Sequence, residues 1–186
     1  MRILVISGSL RAESYNTAVA RSARDIAPAG VEIELYDGLA SIPPYDQDLD
    51  EGDGDTPTAV RDLRDRIEGA DAIFIVTPEY NGSIPGVLKN AIDWASARHR
   101  GSSLANKTVA TAGATTGQYG AIWAQQDLGR ILGVAGARVV GGELPFSRAH
   151  TLFDEHGELH SPTQVARLRE HLDTLLAAAS PLAIAV

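Results

Sequence analysis

Two polar, glycine-containing segments of this chain each follow a short aliphatic run, and this arrangement limits the folds that it can adopt. The first segment (residues 8–16) follows the run at 3–6, and the second segment (residues 77–86) follows the run at 72–76. Such runs are typical of parallel strands buried on both faces. Open α/β sheets bind ligands in the loops at the carboxyl ends of such strands. The two segments are therefore predicted to face one ligand.

Strands and helices alternate along the chain. Aliphatic residues predict five strands, at 3–6, 31–35, 72–76, 108–112 and 137–140. Between them, Thr56 and Pro57 have the pattern of an N-cap followed by a first helical residue, and Ser161 to Gln164 have that of a capping box. The alternation predicts a doubly wound α/β fold, with residues 1–186 forming a single domain.

Composition excludes several classes of function. The 186 residues include no cysteine, so disulfides, thiolate metal sites and cysteine catalysis are excluded. The formal net charge of -8 disfavours nucleic acid and anionic membranes as partners. No stretch reaches the roughly 20 apolar residues of a membrane span, and the amino end lacks the apolar core of a signal peptide. A cytoplasmic protein is expected.

The first segment has the groups that bind a phosphate. Ser9 and Ser14 supply hydroxyls, and Arg11 offers a planar pair of donors. A helix beginning near Ser14 or Asn16 would direct free backbone N–H groups at the same point. The alternative is that Ser14 or Asn16 only caps that helix. The segment lacks the Gly-Lys-Ser/Thr of a P-loop and the three spaced glycines of a dinucleotide site.

The second segment offers main-chain and side-chain polar groups to a flat heterocycle. Six consecutive residues are the candidates: Pro78, Glu79, Tyr80, Asn81, Gly82 and Ser83. A general base at Glu79 is the less favoured interpretation, because its neighbours suggest a loop that holds a ring. A third segment (residues 113–120) follows the fourth strand, and it either lines the same crevice or forms a surface turn. Together the first two segments predict a bound mononucleotide, and a flavin is the mononucleotide that we expect.

Two other clusters have the look of metal sites. The acidic run at 46–55 fails the EF-hand pattern, which needs glycine at the sixth position and glutamate at the twelfth. Counted from Asp46, these positions are Glu51 and Pro57. His156 and His160 are four residues apart, but Gly157 between them predicts a turn and not a zinc-binding helix. No metal site is assigned.

The same segments carry a family resemblance. Gly8 to Arg11, with Ser14 and Asn16, resemble the phosphate motif of the NADPH-dependent FMN reductases, and residues 77–94 match that family's signature almost throughout (TPEYNGSIPGVLKNAIDW). The resemblance extends from residue 2 to about residue 160. It implies a flavodoxin-like, doubly wound five-stranded parallel sheet of order 2-1-3-4-5, with FMN at the switch point between the first and third strands.

The resemblance also implies roles. Ser9, Arg11, Ser14 and Asn16 would bind the FMN phosphate, residues 78–83 would hold the isoalloxazine edge, and Thr115, Thr116 and Gly117 would close over its other side. A nicotinamide, from NADPH or NADH, would pass hydride to flavin N5 by a ping-pong mechanism, and a quinone, azo compound, flavin or metal oxyanion would accept the electrons. No side chain is expected to act as acid or base. A homodimer or homotetramer is implied, with the helix carrying Leu88 and Trp94 at the interface.

The chain departs from the family pattern in two places. Residues 95–101 replace a common Ser-Arg-Pro, and we hypothesise that Arg98 or Arg100 contacts the 2′-phosphate of the nicotinamide nucleotide. Residues 115–117 replace a more usual Ser-Pro-Gly, although threonine keeps a hydroxyl. Two alternatives to the reductase are a flavodoxin-type electron carrier and a non-enzymatic FMN-binding sensor.

Overall fold

A parallel sheet forms the centre of the computed structural model, which describes residues 1–51, 56–97 and 101–180. Its main strands are β1 (Arg2–Ser7), β2 (Glu32–Tyr36), β3 (Ala72–Thr77), β4 (Thr108–Ala114) and β5 (Arg138–Val140). They lie in the order β2-β1-β3-β4-β5, which confirms the predicted flavodoxin-like order. A two-residue strand that the sequence did not predict, β6 (Pro145–Phe146), also pairs with β4.

Helices cover both faces of the sheet. They are α1 (Tyr15–Asp25), α2 (Asp48–Glu51), α3 (Thr58–Gly69), α4 (Gly86–Ala95), α5 (Ile122–Val134) and α6 (Pro162–Ala179), with 3-10 turns at Gly38–Ser41 and Ala149–Thr151. Residues of α1 and α6 pack on one face, and residues of α3, α4 and α5 pack on the other. The chain is therefore wound on both sides of the sheet, as predicted.

One predicted helix start is shifted, and the other lies where predicted but lacks its capping hydrogen bond. Pro57 is the N-cap of α3 and Thr58 its first residue, so the helix begins one residue later than predicted, and Pro57 makes no side-chain capping hydrogen bond. Ser161 is the N-cap of α6 and Pro162 its first residue, but the Ser161 hydroxyl makes no capping hydrogen bond. The capping box was wrong; proline, whose fixed φ already suits the first helical position, begins α6 instead.

Side chains of the central strands alternate between two hydrophobic cores. On β1, Leu4 and Ile6 point toward α3 and α4, whereas Ile3 and Val5 point toward α1 and α6. Every residue of β3 and β4 is buried. Burial on both faces is what the continuous aliphatic runs predicted for these strands, and it leaves the loops at the strand ends as the more exposed part.

The β4 edge of the sheet is divided between two short strands. β5 pairs with residues 108–110 of β4, and β6 pairs with residues 113–114. Just before β4, Lys107 O accepts from Arg138 N at 2.8 Å, and near the end of the strand Gly113 N donates to Leu144 O at 3.2 Å. Every second residue along this stretch therefore turns its backbone groups toward this edge. Thr111 has the same orientation and lies between the parts of β4 that pair with β5 and β6. Its backbone oxygen is 2.9 Å from the ring nitrogen Nε2 of His171.

The long segment after β2 is tied to α4. Pro43 O accepts hydrogen bonds from Asn90 Nδ2 and from Trp94 Nε1, both at 2.8 Å. The Tyr45 ring meets the Trp94 ring edge-on, with centroids 4.9 Å apart. Leu88 and Trp94 are themselves buried within the chain. Both therefore act first in internal packing, and any subunit contact of α4 would have to use its other residues.

Among the residues that the structure describes, no helix combines the length and the apolar character that crossing a membrane would require.

Candidate active site

The first two polar segments touch each other at the carboxyl edge of the sheet. Gly8 N donates to Val76 O at 2.8 Å, which extends the pairing of β1 with β3 into the loops. A Cβ atom on Gly8 would lie 3.0 Å from Leu88 Cδ2 and 3.4 Å from Pro78 Cδ. Only glycine fits between the two loops without displacing a neighbour. The predicted convergence at the β1/β3 switch point is present.

The start of α1 is fastened to the end of β4. Ser14 is the N-cap, and its hydroxyl oxygen accepts from Asn16 N at 3.2 Å. The buried Asn16 side chain donates from Nδ2 to Ala114 O at 3.0 Å and accepts at Oδ1 from Ala114 N at 2.9 Å. Asn16 thus joins the first segment to the third, and both polar groups of its side-chain amide are hydrogen-bonded to the backbone of Ala114.

Ser9 and Arg11 occupy the outer part of the first segment. Ser9 Oγ accepts from Arg11 N at 3.4 Å, and Ser9 N donates to Ser7 Oγ at 3.4 Å. The exposed Arg11 guanidinium lies 5.9 Å from the centroid of the Tyr15 ring. Within the described part of the chain, Arg11 forms no ion pair, so its charge is available to an anion at the α1 N-terminus.

The second segment contains a tight two-residue turn. Tyr80 and Ser83 exchange backbone hydrogen bonds of 2.9 and 3.2 Å. Between them Asn81 has φ 53° and Gly82 has φ 77°, the left-handed pair of a type I′ turn. The turn carries the half-exposed Tyr80 ring to the surface of the carboxyl edge.

Both sides of this turn are attached to α5. Glu79 Oε2 accepts from the backbone N–H of Ala124 at 3.2 Å, in the first turn of that helix. Ser83 Oγ donates to Asp127 Oδ2, and Arg130 donates to Asp127 Oδ1 at 2.7 Å. The hydrogen bond from the Ser83 hydroxyl is the main cause that lowers the pKa of the Asp127 carboxyl, and the hydrogen bond from Arg130 acts in the same direction. The N-cap of α5 is an alanine without a capping side chain, so Glu79 satisfies an otherwise open donor.

The third segment rests on β6 and the turn that follows it. Thr115 N donates to Phe146 O at 3.2 Å, and Thr115 O accepts from Ala149 N at 2.9 Å. The Thr115 hydroxyl accepts from Gly117 N at 2.8 Å, which holds the segment in a compact bend, while Thr116 and Gly117 are exposed. The segment joins the same edge as the other two, although the supporting strand beneath it had no signal in the sequence.

The structure bears on some of the other sequence hypotheses, namely those on metal sites and on the basic segment after α4. Across residues 1–51, 56–97 and 101–180, no group of three or more histidine, aspartate or glutamate side chains could hold a metal ion. Gly157 has φ 77° between the two histidines, which confirms the predicted turn. Arg98 and Arg100, the hypothetical contacts of a 2′-phosphate, lie outside the described residues, as does the 52–55 part of the acidic run.

The family follows from comparison with known proteins. Residues 1–151 match the family of NADPH-dependent FMN reductases. The chain belongs to this family. It is similar to an NAD(P)H-dependent FMN reductase of Pseudomonas aeruginosa, with 38% identity over 94% of this chain and 93% of the relative, and to a quinone reductase of Escherichia coli, with 42% identity over 71% of this chain and 69% of the relative.

A solved structure gives the same result for the fold and the enzyme class. The flavoenzyme FerB of Paracoccus denitrificans, an NAD(P)H:(acceptor) oxidoreductase, superimposes with a TM-score of 0.83 at 30% identity, over 96% of each chain. The chain is accordingly an oxidoreductase of a family that uses FMN with NAD(P)H.

Sequence reasoning missed the residues that support the site. Asp127, Arg130 and Ala124 lie on α5, more than 40 residues from the turn that they fasten. The turn itself had a local signal, since Asn81-Gly82 is the dipeptide preferred in type I′ turns. The Asn16–Ala114 contact spans 98 residues and had none.

Proposed function

We propose that this chain is an NAD(P)H-dependent, FMN-containing quinone reductase that works by a ping-pong mechanism. The observation that carries the proposal is the meeting of three polar segments at the β1/β3 switch point, beside the α1 N-terminus and Arg11, an arginine that forms no ion pair with the residues the structure describes. When bound there, FMN would take hydride at N5 from the nicotinamide and return the electrons to the acceptor. The protein would supply binding and orientation.

The phosphate would lie at the start of α1. Open backbone N–H groups and the positive end of the helix dipole favour an anion there. The Arg11 guanidinium and the Ser9 hydroxyl are close enough in the chain to complete the site, and Ser14 fixes the first turn through its cap. Asn16, whose amide is bonded to Ala114, would hold the loop in place from behind and not grip the phosphate with its side chain.

The flavin ring would lie against the turn in the second segment. Residues 78–83 present backbone groups whose positions are fixed by the type I′ turn, and the exposed Thr115–Gly117 bend faces the same edge. Glu79 is a poor candidate for a general base, because its carboxylate accepts from the first turn of α5. Reduction of a quinone by a flavin needs no such base, and the proposed mechanism assigns no catalytic side chain.

Several finer points belong to the same proposal. Quinones are favoured as acceptors because relatives at 40–42% identity are named as reductases of quinones, including a 2-hydroxy-1,4-benzoquinone reductase of a Burkholderia species. Azo compounds, free flavin and metal oxyanions are further candidates. We also propose that residues 1–186 form one domain, since both hydrophobic cores combine elements from the two halves of the chain, and that the protein is a cytoplasmic homodimer or homotetramer.

An anaerobic spectrum tests the reductase directly. The protein is mixed with one equivalent of FMN, and visible absorption is recorded before NADPH, after NADPH, and after a benzoquinone. We expect a perturbed flavin band that bleaches with NADPH and returns with the quinone. A bound flavin that stays oxidised with both NADPH and NADH would contradict the proposal and favour an electron carrier or a sensor.

A pair of variants tests the phosphate site. Arg11→Ala should raise the FMN dissociation constant by about tenfold or more, since a charge-assisted hydrogen bond contributes roughly 1.5–3 kcal/mol. Riboflavin, which lacks the phosphate, should bind wild type and variant equally. Arg24→Ala is the control, because Arg24 is exposed on the last turn of α1 and pairs only with Asp25 among the described residues. Equal losses for both flavins would place Arg11 away from the phosphate.

A further inference from the structure

The turn at residues 80–83 is held from outside its own loop. Its two backbone hydrogen bonds, 2.9 and 3.2 Å long, close a two-residue turn, which by itself is a small and exposed structure. Two carboxylates tie it to α5, namely Glu79 on the incoming side and Asp127 on the outgoing side. The turn is therefore located relative to the sheet by a helix that begins 39 residues later.

The two attachments lie one helical turn apart on α5. Ala124 and Asp127 are three residues apart, so they lie on the same side of that helix. The α5 side is anchored to the core, because Ala124 and Leu128 are fully buried. Asp127 is in turn held by Arg130, 2.7 Å away, which keeps its second oxygen oriented. A rigid helix thus presents a fixed acceptor to the Ser83 hydroxyl.

We propose that Asp127 is a positioning residue for FMN: by accepting the Ser83 hydroxyl it fixes the turn against which the flavin ring lies. The inference rests on the proposed function, because it takes residues 78–83 as the ring-binding segment. Asp127 would act through Ser83, to which it is hydrogen-bonded, and not by contact with the flavin. Glu79 supports the other side of the turn in the same way, through Ala124.

The first readout is FMN affinity in a double-mutant cycle. Ser83→Ala and Asp127→Ala should each raise the FMN dissociation constant by about tenfold, and the double variant should raise it no further, because both changes remove one hydrogen bond. Asp127→Asn, which keeps an acceptor oxygen, should restore affinity to within about twofold of wild type. Asp62→Ala, which removes a partly exposed carboxylate paired with Arg66 on α3, is the control and should leave affinity unchanged.

The second readout needs no flavin. In the protein without FMN, Asp127→Ala should increase amide hydrogen exchange at Tyr80 and Ser83 by about tenfold, whereas exchange in the buried strand β3 should stay the same. A general structural role of Asp127 would instead increase exchange throughout the core, including strand β3. Multiplying effects in the double variant would also overturn the inference.

The two readouts separate this inference from the proposed function. Wild type that binds FMN, together with an Asp127→Ala variant of unchanged affinity and unchanged exchange, would refute the positioning role alone. Wild type that binds no FMN would refute both the reductase and a flavin-positioning role, and faster exchange in the variant would then show only that Asp127 orders the turn.

Discussion

Replacing Asn16 with alanine should destabilise the protein more than is usual for a residue next to a surface loop. The Asn16 amide makes hydrogen bonds of 3.0 and 2.9 Å with both backbone groups of Ala114, and both residues are at least 96% buried. The truncation therefore leaves a buried N–H and a buried C=O without the partner that they now have. We expect a loss of stability together with a looser first segment.

The size of the effect follows from those two groups. A buried polar group that loses its partner costs about 1–3 kcal/mol, so two cost about 2–6 kcal/mol. Alanine returns roughly 0.5 kcal/mol through its higher helix propensity. The expected net loss is about 1.5–5.5 kcal/mol, against a typical total stability of about 5–15 kcal/mol.

Urea unfolding of the FMN-free protein measures this loss. With a slope of about 2 kcal/mol per molar urea, the midpoint should fall by about 0.7–2.8 M. Ser14→Ala, which removes the neighbouring N-cap, should cost only about 1 kcal/mol. Gln126→Ala removes an exposed amide on α5 and should leave the midpoint within about 0.3 M of wild type, consistent with surface changes of about 0.5 kcal/mol or less.

Asn16→Asp distinguishes hydrogen bonding from packing. At neutral pH the carboxylate can accept from Ala114 N, but its second oxygen meets Ala114 O and the charge is buried. Protonation lets the side chain donate to that carbonyl, so its folded-state pKa is raised above the unfolded value of about 3.9. The deficit relative to wild type should be largest at neutral pH and shrink as the pH falls through the folded pKa. A midpoint for Asn16→Ala within about 0.3 M of wild type, or an Asn16→Asp deficit that is independent of pH, would refute this reasoning.

Three further predictions rest on single contacts. Arg64→Leu should cost about 3–5 kcal/mol in urea unfolding, because the Arg64 guanidinium makes two 2.8 Å bonds to the fully buried Asp50 carboxylate. Burial lowers the pKa of His171, so the folded state binds fewer protons than the unfolded one, and stability should fall as the pH drops below about 6.5; His171→Gln should remove that slope between about pH 7 and about pH 5.5. A methyl group on Gly113 would lie 2.7 Å from a side-chain carbon and 2.9 Å from a backbone oxygen, so Gly113→Ala should cost about 1–3 kcal/mol, whereas Gly129→Ala in an open helix position should stabilise by roughly 0.5–1 kcal/mol in thermal or urea unfolding.

The sequence was sufficient for the central strands of the sheet because they are buried on both faces. Continuous aliphatic runs predicted β1, β3 and β4 to within two residues at either end. The strand order came from the family resemblance and was confirmed. β6 was missed because two residues, one of them proline, carry no periodicity. The start of α6 shows the limit of a local motif, since its capping pattern is present without the hydrogen bond.

The sequence predicted where the candidate site lies, but it did not predict which side chains hold the loops of the site in place. Loops at the ends of β1 and β3 must be neighbours once those strands pair, and Gly8 with Pro78 shows how closely they pack. The side chains that hold the loops are different, because Asn16 and Asp127 act across long sequence separations. Their partners are a backbone amide and a hydroxyl, which no residue pattern identifies.

The divided edge beside β4 has a consequence for solubility. An unbroken outer strand would offer a row of backbone donors and acceptors to a strand from another molecule. Here that row is interrupted where β5 ends and β6 has yet to begin, and the His171 side chain occupies the backbone oxygen of Thr111 in the gap. Gly141 and Gly142, both with positive φ, turn the chain away at the same point. We expect this interruption, together with the exposed Arg138 of β5 and Pro145 of β6, to discourage strand-by-strand association along this edge.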